Sequence, residues 1–223
     1  MEHTLTVNTT ARYHTLGKIH KDVKALWFVF HGYGMRCDQF IKEFDCIADS
    51  KTLIVAPEGL HRFYSRGFKG EICSSWMTSD LRNYDIINNR DFLNGVLKGV
   101  FDKGLPKDVQ IGVLGFSQGA PTAIRWAMSL DVIISELVVW GSNVPDDVVN
   151  NIKTLKKLNE SNVKLIIGSK DEYLPEEKVD ELIMDLHDKG VDYDFHSFEG
   201  KHELHEDSIR YFHARLVDDN LEY

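Results

Sequence analysis

The 223-residue chain reads as an α/β domain, with a mostly parallel central sheet and helices on both faces. Three observations predict this. Short apolar, β-rich runs recur along the chain, and longer segments with helical spacing lie between them. Several of the runs are apolar at nearly every position, which suits parallel strands buried on both faces. No repeat, low-complexity tract or Pro/Gly/Ser linker interrupts the pattern, so residues 1–223 are expected to form a single domain.

The first twenty residues alternate weakly (Leu5, Val7, then Tyr13, Leu16) and are expected to add an antiparallel edge. The core strands are expected at Ala25–Phe30, Thr52–Ala56, Gln110–Gly115, Glu136–Trp140, Val163–Gly168 and Tyr193–Phe198. Helical spacing marks roughly Asp38–Ser50, Ile86–Lys103, Gln118–Leu130, Asp146–Leu158, Glu176–Lys189 and Glu203–Val217. In such a sheet the site lies beyond the carboxyl ends of the strands, which directs the search for chemistry.

Composition narrows the function. A formal charge of −9 weighs against nucleic acid, whose phosphates need clustered Lys and Arg. It also argues against tight docking on anionic membranes. Cys37, Cys46 and Cys73 are odd in number, with no C-x-x-C pair, and read as free thiols in a reducing compartment. The first residues lack a basic segment and an apolar run, so no secretory signal is expected. No apolar stretch is long enough to span a bilayer. These features together point to a cytoplasmic protein.

Four segments at strand ends carry candidate chemistry. Gly115-Phe116-Ser117-Gln118-Gly119 reads G-x-S-x-G between an apolar strand and a helical stretch, with Pro121 in the first turn, where a missing N–H costs nothing. Such a sharp turn strains its central residue and needs small neighbours, and it presents the Ser117 hydroxyl to the cleft. His31-Gly32-Tyr33-Gly34 follows the first core strand, and the N–H groups of Tyr33 and Gln118 are the expected oxyanion donors. His31 itself is expected to anchor that loop through its ring nitrogens.

Asp171, just past a late strand, is the expected orienting carboxylate, with Glu172 as rival. His202, on the loop after the last strand, is the expected base. His196 is an alternative committed to a strand, and His205 one placed inside the following helix. The cluster His202, Glu203, His205 and Glu206 reads H-E-x-H, one residue short of the spacing that places two ligands on one helical face, so no metal is expected.

The order Ser117, Asp171, His202 is that of nucleophile, acid and base in α/β-hydrolases. The chain resembles the phospholipase/carboxylesterase group, which includes bacterial carboxylesterases, lysophospholipases and acyl-protein thioesterases. The likeness rests on H-G-Y-G at 31–34, A-P-E-G-L at 56–60, S-S-W-M-T at 74–78, G-F-S-Q-G-A at 115–120, D-E-Y-L-P at 171–175 and G-K-H at 200–202. It implies a serine carboxylesterase without cofactor, acting on a small-molecule ester. It also implies that Trp76 lines the substrate pocket, and Met77 and Phe68 are expected to line it as well. Met35 stands where the family often has Asp, and Arg62, Tyr64 and Arg66 differ from the eukaryotic thioesterases. Thioesterase or peptidase activity with the same triad, a silent hydrolase-fold binding protein, and a homodimer all stay open.

Overall fold

The central strands are apolar throughout because helices cover both of their faces. The computed structural model describes residues 1–217. In chain order its strands are β1 (Tyr13–Leu16), β2 (Ala25–Phe30), β3 (Thr52–Pro57), β4 (His61–Arg66), β5 (Lys69–Ser75), β6 (Gln110–Phe116), β7 (Glu136–Trp140), β8 (Val163–Gly168) and β9 (Asp194–Phe198). The helices are α1 (Cys37–Phe40), α2 (Arg82–Asp102), α3 (Gly119–Ser129), α4 (Asp146–Val149), α5 (Ile152–Asn159), α6 (Glu176–Asp188) and α7 (Glu206–Val217). A 3-10 helix over Ile41–Ile47 continues α1.

Seven strands form one sheet in the order β1-β3-β2-β6-β7-β8-β9. From β3 to β9 all neighbours are parallel. Only β1 runs antiparallel, placing Tyr13 opposite Pro57 and Leu16 opposite Ile54. The expected antiparallel edge is therefore present, although Leu5 and Val7 lie outside it, exposed.

Side chains along β2 divide between two cores. Leu26, Phe28 and Phe30 join Leu93 of α2 and Trp126 of α3. Ala25, Trp27 and Val29 join Phe44, Ile209 and Phe212 on the opposite face. Each buried Leu or Phe contributes about 1.5–3 kcal/mol, so a one-residue register slip in this strand would be costly on both sides.

The order of strands also places the site. From β2 the chain proceeds outward to β3, while from β6 it proceeds the other way, to β7, β8 and β9. The two halves diverge between β2 and β6, which opens a crevice at the carboxyl ends of these strands. Phe30 pairs with Gly115, so the two strands end level. His31-Gly32-Tyr33 leaves one and Ser117 leaves the other.

Two expectations change, and one segment without an expected element proves ordered. The segment after A-P-E-G-L folds as an antiparallel hairpin, β4–β5, with a register shift between Tyr64 and Arg66. The stretch read as one helix over Asp146–Leu158 divides, because the Asn151 side chain accepts from the N–H groups of Lys153 and Thr154 and caps a new helix. The stretch read as a helix over Asp38–Ser50 is a short α-helix followed by 3-10 geometry that ends at Ile47.

Candidate active site

Ser117 has a φ of 52°, one of two non-glycine residues with positive φ among those described. The left-handed conformation is unfavourable for a side chain and persists because the surroundings fix it. Ser117 N–H donates to Trp140 O at 2.8 Å, and its own carbonyl accepts from Ala120 N–H at 3.0 Å. The flanking glycines are required by close approach. A Cβ on Gly115 would meet Ala120 N at 2.7 Å, and one on Gly119 would meet His31 O at 2.5 Å. Gly119 thus brings the start of α3 against the end of β2.

That contact sets Gln118 beside the H-G-Y-G loop. Neither Tyr33 N–H nor Gln118 N–H has a backbone acceptor among the described residues. The H-G-Y-G loop is held by several hydrogen bonds. His31 is fully buried, and burial lowers its pKa from the usual value of 6.5. Its Nδ1–H donates to Gly32 O at 2.7 Å, while Nε2 accepts Gly59 N–H at 3.0 Å. His31 therefore anchors the loop through both ring nitrogens, as expected. Gly34 N–H donates to Ser74 O at 2.9 Å, and Gly32 N–H to Met35 Sδ at 3.3 Å.

Asp171 and His202 meet. The imidazole Nδ1 lies 2.7 Å from Asp171 Oδ2. The other carboxylate oxygen, Oδ1, accepts from Tyr173 N–H at 2.9 Å and Leu174 N–H at 3.1 Å, a local turn that fixes the carboxylate plane. An ionised carboxylate can only accept, so Nδ1 carries a proton, and in the neutral tautomer Nε2 is the nitrogen with the lone pair. The ring is packed against Phe116, with centroids 4.9 Å apart, and Tyr173, at 4.8 Å. His202 and Ser117 line one cavity of about 690 Å³. No hydrogen bond joins Ser117 Oγ to the ring among the described residues. Such bonds are often loose before substrate arrives.

The rivals lie elsewhere. Glu172 is exposed. His196 on β9 faces α7, with Nε2 3.3 Å from Ser208 Oγ. His205 precedes α7 rather than lying inside it; its Nδ1 is 3.0 Å from the same hydroxyl, and its ring stacks on Phe198. Among the described residues no three His, Cys, Asp or Glu side chains converge as metal ligands would. Cys37, Cys46 and Cys73 are free thiols.

The residues expected to line the substrate pocket require correction. Phe68 is 99% exposed on the hairpin turn and lies outside the Ser117 cavity. Trp76 is fully buried; its indole N–H donates to His31 O at 2.8 Å, so it braces the H-G-Y-G loop from behind. Met77 lines a separate cavity between helices. The Ser117 cavity is walled instead by Tyr33, Met35, Phe116 and Asn143, and by Leu174, Lys178 and Leu182 around the start of α6.

Sequence reasoning passed over two parts of this arrangement. Asn143 follows the carboxyl end of β7, where the strand-end rule would have found it. The Gln118 side chain matters beyond its backbone. Its Oε1 accepts from Ser75 Oγ at 3.1 Å and Trp76 N–H at 3.2 Å, and its Nε2 donates to Met77 O at 3.2 Å. Gln118 therefore ties the Ser117 turn to the segment that braces the H-G-Y-G loop.

Two expected results arise here. Gly141 has a φ of 58°, and a Cβ there would meet His202 Cε1 at 2.9 Å. Gly141→Ala should displace the imidazole and lower kcat by about 10²-fold, the scale associated with a 1 Å misplacement, with little change in KM. Equal kcat for the two proteins would refute that reading. The second concerns pH. Because burial keeps the folded pKa of His31 below 6.5, the unfolded chain takes up this proton first. The stabilisation is complete above pH 6.5 and declines as pH falls toward the folded value, by at most about 1.4 kcal/mol per pH unit. Burial lowers His213 as well, so it adds in the same direction. Urea midpoints measured from pH 8 to pH 5 should fall below neutrality; a flat profile contradicts the assignment.

Comparison with known proteins gives the fold a name. No protein-family model matches the chain, and no curated protein does. Solved structures do. Acyl-protein thioesterase 2 from Zea mays superposes with a TM-score of 0.68 at 18% identity, covering 93% of this chain and 100% of that one. Esterase PE8 gives 0.61 at 23% identity, with 93% and 98% covered. The Bacillus cereus carboxylesterase gives 0.64 at 14% identity, with 94% of each chain covered. This protein has the α/β-hydrolase fold.

Proposed function

We propose that the protein is a serine hydrolase that cleaves carboxylic esters through an acyl-enzyme at Ser117. The observation that carries this is the 2.7 Å bond from His202 Nδ1 to Asp171, beside a left-handed Ser117 in the same cavity. His202 Nε2 removes the Ser117 proton as the hydroxyl attacks the ester carbonyl. Tyr33 and Gln118 N–H groups receive the oxyanion, each donor being worth about 3–4 kcal/mol in other hydrolases. The imidazolium, stabilised by Asp171, then protonates the leaving alcohol. Water repeats the sequence on the acyl-enzyme and releases the acid.

Structural neighbours described as esterase, carboxylesterase and thioesterase support an acyl-transfer reading. The cavity combines Leu174 and Leu182 with Lys178, Glu181 and Asp185, which favours an ester with an apolar acyl part and a polar alcohol part. No helix among the described residues is long and apolar enough to cross a membrane. Three free thiols support a reducing, cytoplasmic setting.

A fluorophosphonate should label the protein covalently at one site, and peptide mapping should place the adduct on Ser117. A folded protein that resists labelling, or labels elsewhere, would overturn the proposal, and the first result would leave a silent binding protein. Rates on a short p-nitrophenyl ester, a palmitoyl thioester and a dipeptide amide then rank the bond types, with the ester expected first.

A further inference from the structure

We propose that Trp140 is a positioning residue, whose indole sets the loop carrying His202 against the Ser117 turn; this rests on the acyl-enzyme mechanism at Ser117. Trp140 ends β7, where its main chain and its side chain reach different parts of the site. Its carbonyl accepts Ser117 N–H at 2.8 Å. Its indole Nε1–H donates to Glu203 O at 2.9 Å, one residue after His202. One residue thus joins the two segments between which a proton must pass.

The loop needs such a hold. Residues 199–205 lie outside every strand and helix, so no ladder of backbone bonds fixes them. A local turn forms around His202. Glu203 N–H donates to Lys201 O at 3.0 Å, and Lys201 N–H to Glu203 Oε1 at 3.0 Å. Those bonds are internal to the loop and give it shape without giving it a place. Its place comes from the sheet. On one side Gly200 O accepts Lys170 N–H at 2.8 Å, next to Asp171. On the other side Glu203 O accepts the indole. Asp171 holds one ring nitrogen of His202, and Phe116 and Tyr173 pack against the ring. A ring tethered at Nδ1 can still pivot about that atom if its backbone drifts, and the pivot moves Nε2, the atom that must meet Ser117.

The donor is in place before substrate arrives. Trp140 is 1% exposed, pairs with Phe116 and Ile166 on the neighbouring strands, and packs on Phe198 with ring centroids 5.6 Å apart. A buried indole N–H needs an acceptor wherever it lies, so burial alone assigns no role. Position does. Trp27 and Trp126 meet the need with side chains, His213 and Asn94. Trp140 meets it with the backbone beside His202.

Two replacements separate the hydrogen bond from the packing. Trp140→Phe removes the N–H together with part of the ring. 3-Benzothienylalanine at position 140 keeps the shape and exchanges the N–H for sulfur. Both should lower kcat on a short p-nitrophenyl ester by about ten- to a hundredfold with KM little changed, the range reached by a misplacement of 1 Å or less. Fluorophosphonate labelling of Ser117 should slow by a similar factor, because that step uses the same imidazole. Trp27→Phe is the control. It removes a buried indole bond from the same core and should lower Tm without changing kcat. Equal kcat in the benzothienyl protein and the parent would overturn the proposal, whether or not Trp140→Phe folds. A matching fall of kcat in Trp27→Phe would overturn it too, by showing a general loosening of the core. A parent protein that neither hydrolyses ester nor labels at Ser117 would instead remove the acyl-enzyme mechanism, and this proposal with it.

Discussion

Asp171→Asn should reduce kcat for ester hydrolysis by about 10⁴-fold while leaving the fold intact, the scale of the same exchange in serine proteases. The direction follows from the hydrogen bonds. Asp171 Oδ1 accepts from the N–H groups of Tyr173 and Leu174, so an asparagine would keep its carbonyl oxygen there. Its NH₂ group would then face His202 Nδ1, which now sits 2.7 Å from Oδ2. A donor at that position forces Nδ1 to accept and drives the proton to Nε2. The imidazole would present an N–H where it needs a lone pair. Circular dichroism and urea midpoints should stay near those of the parent, and kcat alone should collapse. A loss under tenfold would mean that Asp171 does not set the tautomer.

Gly119→Ala should destabilise the protein by about 3 kcal/mol or more, lowering Tm by roughly 6–12 °C for a domain of this size. The added methyl would lie 2.5 Å from His31 O and 2.7 Å from the carbonyl carbon of Phe30. Both belong to the backbone at the end of a central strand, which has helices on both faces and cannot yield. Relief would have to come from moving the start of α3, which separates the Gln118 amide from that of Tyr33, so activity should fall too. Gly95→Ala is the control. It lies within α2 with no atom within 4 Å of the new methyl, and higher helix propensity should stabilise it by up to about 1 kcal/mol. Similar thermal midpoints for the two variants would show that the Gly119 contact has been misjudged.

The same residues show what could be read without coordinates. The apolar runs from Ala25 to Phe198 became strands close to their expected ends, because burial on two faces leaves a composition that no solvent-facing segment shares. G-F-S-Q-G could be placed between strand and helix, and its glycines explained sterically, because that constraint is local. The β4–β5 hairpin escaped notice. It is a two-stranded excursion whose β4 side chains are largely exposed, so it lacks the apolar signature that marked the central strands. Division of the segment from 146 to 159 turned on a single capping side chain, Asn151.

Trp76 and Phe68 show the limit of pattern reading for pockets. Both are large aromatics near strand ends, and both are equally plausible as lining from sequence. One is sealed behind the H-G-Y-G loop, and the other projects from a turn into solvent. Orientation is decided by packing between segments far apart in the chain, which spacing does not encode.

Residue order alone determined the class of fold, the identity of the candidate nucleophile turn and the strand ends at which its partners should be sought. These depend on local sterics and on burial, both carried by short stretches of chain. Folding in three dimensions decided which carboxylate meets which imidazole, and which aromatic is sealed in the interior and which projects into solvent. Those outcomes depend on distances between residues remote in sequence, and only the packed sheet and its helices set them.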